Sequence, residues 1–182
     1  TGLAFSSTPV ITPLTFIPVD TLQSWDNLTG TTGAPGSQAT LTVNNYVNSG
    51  GLITPTLTNV SVLKINTPAG AFTLGGQNVT GLTTVNVSGA NAVTPVAIGV
   101  AGNGLQTALT TVSLTNNRGA FSTSAVDTAL AGSADTLAIA LVGARAGTAL
   151  TARADTATNG YETIKISSDG TAANTVDNIA VN

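Results

Sequence analysis

The sequence predicts an all-β protein, a right-handed parallel β-solenoid (β-helix-like) with turns of about 22–27 residues. Two observations predict it: short apolar runs with a two-residue period, and the regular distance at which those runs recur. Thr and Val are frequent and favour strands, whereas Gly and Asn mark the turns between them. An antiparallel β-sandwich is the alternative, because short strands separated by turns are typical of that fold as well.

Six runs share one pattern, in which an apolar residue, a variable residue and a second apolar residue precede a small or polar one. The two-residue period places both apolar side chains on one face of a strand. The runs are 41–44, 63–66, 85–88, 112–115, 137–140 and 164–167. We therefore expect these inward-facing core pairs: Leu63/Ile65, Val85/Val87, Val112/Leu114, Leu137/Ile139 and Ile164/Ile166.

The spacing of the runs predicts stacked turns. The first apolar residues stand at positions 41, 63, 85, 112, 137 and 164, so the successive intervals along the chain are 22, 22, 27, 25 and 27. Repeats of this length suit one turn of a solenoid, in which successive turns stack about 4.8 Å apart. Five of the six runs directly follow a Thr, which strengthens the repeat.

Residues 1–40 differ from the rest of the chain. We therefore divide the chain into an N-terminal arm or cap, residues 1–40, and a β-repeat domain, residues 41–182. The arm holds four of the seven prolines, and proline disfavours central strand pairing. It also holds Phe5, Phe16 and Trp25, and aromatic residues concentrate in interface cores. We expect these three residues to contact a neighbouring subunit; the alternative is that the arm caps its own first turn.

The composition excludes several functions. The chain has no His and no Cys, which excludes Ser-His-Asp triads, thiol nucleophiles and the usual zinc sites. Five cations and a net charge of -3 argue against a nucleic-acid partner. No uncharged apolar run approaches the roughly 18 residues of a transmembrane helix. Abundant Thr, Asn and Gly with little Lys are typical of secreted proteins of the bacterial cell surface, which predicts an extracellular location.

Residues 134–141 and 160–175 resemble the repeat units of bacterial S-layer and RTX-type cell-surface proteins. Such units place Gly, an apolar residue, Glu and Thr before an alternating apolar strand, as in the segment Gly160-Tyr161-Glu162-Thr163-Ile164-Lys165-Ile166-Ser167. Residues 81–89 are a looser copy, and the resemblance covers roughly residues 57–182. It implies a solenoid or β-roll surface protein that is often stabilised by calcium. The acidic nonapeptide Gly-Gly-x-Gly-x-Asp of RTX repeats is absent, so we expect any calcium to bind weakly and at few sites.

Four acidic residues are candidate calcium ligands. Asp135 and Glu162 each stand two places before the first apolar residue of their run. If the turns stack in register the two carboxylates approach each other, and calcium would relieve their repulsion. Asp169 and Asp177 flank Asn174 in a turn-rich stretch that offers further oxygen ligands. The alternatives are that loops hold the first pair apart in solvent and that the second group only forms turns.

These observations predict a structural protein, not an enzyme: a self-assembling subunit or segment of a bacterial surface layer or extracellular filament. Its partners would be copies of itself, because a surface with so little charge lacks the repulsion that keeps proteins apart. A non-catalytic adhesin stalk or binding module, with a cell-surface glycan as partner, is the alternative. A polysaccharide-active β-helix enzyme is the third candidate, for which Trp25, Tyr46 and Tyr161 could offer aromatic faces to a sugar.

Overall fold

The computed structural model describes residues 3–4, 14–15, 21–31, 38–44, 51–67, 70–89, 95–144, 149–156 and 159–181. Nearly all of the regular structure is β, and the parallel sheets form a solenoid of about five turns. The predicted solenoid is therefore confirmed. The sandwich alternative is wrong, because every pairing between strands in the described residues is parallel.

Each turn of the chain contributes short strands to up to three sheets. The described strands are β1 (Leu3–Ala4), β2 (Leu14–Thr15), β3 (Asn27–Thr29), β4 (Thr40–Asn44), β5 (Leu52–Ile53), β6 (Thr56–Thr58), β7 (Val62–Thr67), β8 (Phe72–Leu74), β9 (Val79–Thr80), β10 (Thr84–Gly89), β11 (Val96–Ile98), β12 (Thr111–Thr115), β13 (Phe121–Ala125), β14 (Thr136–Val142), β15 (Ala149–Ala154), β16 (Thr163–Asp169) and β17 (Asn178–Val181).

The three sheets run along the solenoid, and each keeps its strands in chain order. Sheet A has the order β1-β3-β6-β9, sheet B the order β2-β4-β7-β10-β12-β14-β16, and sheet C the order β5-β8-β11-β13-β15-β17. Sheet A has no further strand after β9 in the described part of the chain. A short 3-10 helix, Asp127–Leu130, follows β13 between sheet C and the next strand of sheet B.

The core of sheet B consists of the apolar pairs that the period-two runs predict. Four of the five predicted pairs are buried: Leu63/Ile65, Val85/Val87, Val112/Leu114 and Leu137/Ile139. The prediction is wrong for the fifth pair, Ile164/Ile166, because Ile164 is only half-buried and Ile166 is exposed. Both lie on β16, which is the last strand of sheet B in the described residues and has no described strand on its outer side.

The stacking register differs from the predicted one by two positions at β14. The structure places Val112 opposite Ile139, whereas the spacing of the runs predicts Leu137 at that position. The sheet B column through Val112 therefore passes through positions 41, 63, 85, 112, 139 and 166, so its last three steps are equal. A shift of two keeps the same side chains inside, so alternation alone cannot distinguish the two registers.

The chain turns a corner after each strand of sheet B, and the conformation of this corner explains the register at β14. The residues that follow the paired ends of β12, β14 and β16 are Asn116, Gly143 and Gly170, and their φ angles are 50°, 68° and 90°. Gly adopts this left-handed conformation without steric cost, and Asn tolerates it better than most residues. The predicted register would have set Leu141 beside Asn116 at this corner.

Part of the N-terminal segment, residues 1–40, belongs to the stack. β1 pairs with β3, β3 pairs with β6, and β2 pairs with β4. The expectation that this segment departs from the solenoid is thus corrected for these strands, of which β1 precedes the four prolines and β2 and β3 lie between them. The four prolines themselves, Phe5 and Phe16 are outside the described residues. The domain boundary at position 40 stays a prediction.

Val112→Asp tests the core register. It would place a carboxylate in a fully buried column, and we expect the free energy of unfolding to fall by at least about 3 kcal/mol. Ser113→Asp is the matched control, because Ser113 lies on the same strand but faces outward and is only partly buried. Urea unfolding followed by circular dichroism measures both. Equal stability of the two variants would contradict the orientation of β12.

Gly143→Ala tests the corner. The new methyl group would lie 2.7 Å from the Oδ1 atom of Asn116, in addition to the strain of a positive φ. Gly102→Ala is the control: its φ is 76°, but nothing lies within 4 Å of the added methyl group. We expect a loss of about 1 kcal/mol for the control and a distinctly larger loss for Gly143→Ala. Thermal melting of the two variants side by side gives the comparison, and the reverse order would count against this corner.

Candidate functional site

The exposed large apolar side chains of the described chain lie at the two ends of the stack. They are Trp25 (77% exposed), Leu52 (44%), Ile166 (42%), Ile179 (46%) and Val181 (41%). We call Ile166, Ile179 and Val181 the tail end, and Trp25 and Leu52 the head end. The sides of the solenoid between these ends expose no other large apolar side chain in the described residues.

The tail end exposes side chains that continue the core columns of sheets B and C. Ile179 pairs with Leu150, and Val181 pairs with Ala152; both partners are buried. The tail residues occupy the same inward columns but are exposed, because β17 and β16 have a neighbouring strand on one side only in the described structure. The tail end therefore combines apolar side chains with strand edges that have no partner strand, a template for further β pairing.

The head end is built around the first strand of sheet C. Leu52 lies on β5, and Trp25 directly follows Ser24, which is hydrogen-bonded to Thr54. The Thr54 backbone N–H donates a hydrogen bond to the Ser24 Oγ atom (3.1 Å). The Gln23 backbone N–H donates one to the Asp26 carboxylate (2.9 Å). These bonds hold the bend that displays the Trp25 ring.

Of the three predicted interface aromatics, the structure describes only Trp25. Its ring is largely exposed, as an unoccupied anchor would be. Phe5 and Phe16 lie outside the described residues. The role of all three at an interface stays a prediction.

The outer face between the ends is polar and nearly uncharged. In sheet B one outward column contains, in order, Thr42, Lys64, Asn86, Ser113, Ala140 and Ser167, so only one position in six carries a charge. A low charge density gives little electrostatic repulsion between molecules.

Asp135 and Glu162 lie on neighbouring turns, as in-register stacking predicts. Thr136 pairs with Thr163, and the Asp135 amide donates to the Glu162 carboxylate at 2.6 Å. The Asp135 carboxylate accepts a bond from the Gly132 amide at 3.2 Å. Both carboxylates therefore have backbone donors, which offsets part of the repulsion that a cation would otherwise relieve.

Asp169 and Asp177 lie in the last turn of the described chain. The Ser167 hydroxyl donates a hydrogen bond to the Asp169 carboxylate (3.0 Å). The Asn174 side chain accepts one from the Ala144 backbone amide (2.7 Å) and donates one to the Ser168 hydroxyl (2.8 Å). These bonds connect turns to one another, as turn residues do. Asp177 is exposed.

The four acidic candidates do not come together as one cluster of carboxylates in the described residues. Calcium takes six to eight oxygen ligands in most protein sites. Within the part of the chain that the structure describes, no group of three or more His, Cys, Asp or Glu residues is placed to hold a metal ion. Calcium binding at Asp135, Glu162, Asp169 and Asp177 therefore stays a prediction.

A cavity of about 390 Å³ lies beside Tyr161 and is lined also by residues 108–110 and 134–136. The Tyr161 side chain is buried, and its hydroxyl forms no hydrogen bond of good geometry. Burial raises the pKa of Tyr161 to about 12; the Leu109 backbone opposes this rise, and the negative charge of Asp135 adds to it. A buried Tyr161 cannot offer its ring face to a sugar, so the sequence-based expectation is wrong for this residue. Tyr46 lies outside the described residues.

No protein-family model matches the chain, and no curated protein or solved structure shows significant similarity to it. The resemblance to S-layer and RTX-type proteins therefore stays a prediction. None of the helical structure in the described residues has the length and apolarity needed to cross a membrane.

Sequence reasoning missed the tail end of the stack as a site, and of the head end it named only Trp25. The tail strand β17 carries a short alternating signal, Ile179-Ala180-Val181, which the search for longer runs passed over. The head end has no comparable signal: Leu52 pairs with the outward-facing Thr73 and is exposed on the outer face of β5, whereas its neighbour Ile53 is the inward residue.

Tyr161→Phe tests the buried hydroxyl through its pH dependence. The folded protein holds the phenolic proton up to a pKa of about 12, whereas the unfolded chain releases it near 10. The stabilising contribution is complete below pH 10 and is lost as the pH rises to about 12, by roughly 2 kcal/mol at pH 11.5. We expect Tyr161→Phe to lack this loss. Urea unfolding of both proteins at pH 8 and pH 11.5 measures it, and the shared lysines cancel in the difference. An equal loss in both proteins would show that Tyr161 is not buried as described.

Proposed function

We propose that this chain is a structural protein that self-assembles, as a subunit or segment of a bacterial surface layer or extracellular filament. The observation that carries the proposal is the confinement of exposed large apolar side chains to the two ends of the solenoid. Scattered apolar residues on a surface need no explanation, but apolar residues grouped at strand edges are typical of association surfaces.

The rest of the surface supports the same proposal. The described sides of the solenoid are polar and carry few charges, so molecules can approach one another closely. The extracellular placement rests on the composition and on the resemblance to S-layer and RTX-type repeats. The partners we propose are copies of the chain.

A glycan-binding adhesin stalk or module is the second candidate, and two features favour it. The cavity next to Tyr161 has polar residues, among them Asp135 and Thr136, beside apolar ones. The exposed Trp25 ring could stack on a sugar. The catalytic alternative has no such support, and we propose that the protein is not an enzyme.

The purified chain tests the proposal. Sedimentation velocity and negative-stain electron microscopy, in about 2 mM calcium and in EDTA, should show ordered filaments or sheets in both conditions. A monomer that binds bacterial glycans would replace the proposal with the adhesin, and release of reducing sugars from polysaccharides would replace it with the enzyme. Assembly only in calcium would show that our interpretation of the acidic residues is wrong.

A further inference from the structure

We infer that the outward face of sheet A binds an extended, uncharged glycan of β-1,4-linked sugars, with one sugar unit on each turn of the solenoid. We call this surface the sheet A face. It consists of six outward side chains on three successive turns: Asn27, Thr29, Thr56, Thr58, Asn78 and Thr80. The inference goes beyond the proposed self-assembly and does not depend on it.

The sheet A face repeats one pattern on each of its three turns, with a buried apolar residue between two outward polar ones. The three segments are Asn27-Leu28-Thr29, Thr56-Leu57-Thr58 and Asn78-Val79-Thr80. Leu28 pairs with Leu57, and Leu57 pairs with Val79, so the segments are in register. The polar residues therefore form two columns along the solenoid axis, one of Asn, Thr and Asn and one of three Thr.

The polar groups of the sheet A face are available to a ligand. Within the described residues none of the six side chains forms a hydrogen bond, and all six are exposed or partly exposed. Sheet B differs, because its polar columns are internally bonded. The Asn66 amide donates to the Asn44 side chain (2.6 Å), and the Thr83 hydroxyl donates to the Ser61 carbonyl (3.4 Å).

The chemistry of these groups selects a neutral ligand that is rich in hydroxyl groups. Amides and hydroxyls both donate and accept hydrogen bonds, as the hydroxyls of a sugar do. The six side chains carry no charge, so a charged polymer would gain no ion pair from them.

The spacing of the turns selects an extended glycan. Successive turns lie about 4.8 Å apart, which is close to the length of one sugar unit in an extended β-1,4-linked chain. A glycan that lies along the solenoid axis therefore meets an equivalent pair of polar side chains on every turn of the face.

Trp25 supplies a stacking group at one end of the sheet A face. It stands two residues before Asn27, on the same turn, and is 77% exposed. An aromatic ring offers an apolar face against which the C–H groups of a sugar can pack. The ring therefore adds a contact at the β3 end of the bound glycan.

A triple variant that removes one column of hydroxyls tests the inference. It carries Thr29→Val, Thr58→Val and Thr80→Val. Val has the β-branched shape of Thr and favours strands, so we expect the variant to fold. The matched control makes the same change at three outward threonines of sheets B and C: Thr42→Val, Thr73→Val and Thr151→Val.

Isothermal titration calorimetry with cellohexaose, β-1,4-mannohexaose and chitohexaose gives the readout. We expect the parent chain to bind at least one of these neutral hexasaccharides and the control to bind it equally well. The triple variant should bind at least about tenfold more weakly, because three hydrogen bonds are lost. Trp25→Ala should weaken binding roughly fivefold. A variant with Ser in place of Thr at positions 29, 58 and 80 keeps the hydroxyls and should bind like the parent chain.

Three results would overturn the inference. They are a folded parent chain that binds none of the three hexasaccharides, an equal affinity of the triple variant and the control, and binding of anionic polygalacturonate or α-1,6-linked dextran as tight as that of the hexasaccharides. Filaments or sheets formed by a parent chain that binds no glycan would leave the proposed function standing. Glycan binding by a chain that stays monomeric would support the inference and overturn the proposed self-assembly.

Discussion

The structure depends on one constraint: each inward side chain of a strand is buried by the equivalent side chains one turn before and one turn after it. In sheet B this gives a column in which Leu63, Val85 and Val112 are fully buried. In this fold the inward side chains of each turn are buried by the neighbouring turns, because no turn can bury its own apolar face alone. The end turns are therefore the places where the fold leaves inward apolar side chains exposed in the described residues, as it does at Ile166, Ile179 and Val181.

In-register stacking also explains the composition. Equivalent residues on successive turns lie about 4.8 Å apart, so a repeated charge would meet its like on every turn. Small polar side chains avoid this and satisfy one another or the backbone. The Thr83 and Thr110 hydroxyls donate to the carbonyls of Ser61 and Thr83 (3.4 and 3.3 Å), and the Asn66 amide donates to the Asn44 side chain (2.6 Å). The 7% of charged residues thus reflects the fold as much as any function.

A parallel solenoid has a direction, and its two ends are chemically different. The tail end presents aliphatic side chains from two sheets, whereas the head end presents Leu52 and the exposed Trp25 ring beside a half-buried Ile53.

The amino-acid sequence by itself determined the fold class and most of the sheet B core, since period-two runs that recur at so regular a spacing leave few ways to bury their apolar face. The sequence alone did not predict sheets A and C, because strands as short as Val79–Thr80 cannot be distinguished from turns until a neighbouring strand pairs with them. Only the tertiary structure decided the register at β14, where Leu137, Ile139 and Leu141 offer two equivalent alignments. The left-handed corner at Gly143 resolves that choice, and such a corner exists only when turns stack. The exposed ends were decided in the same way, because an inward residue such as Val181 is buried or exposed according to whether another turn covers it.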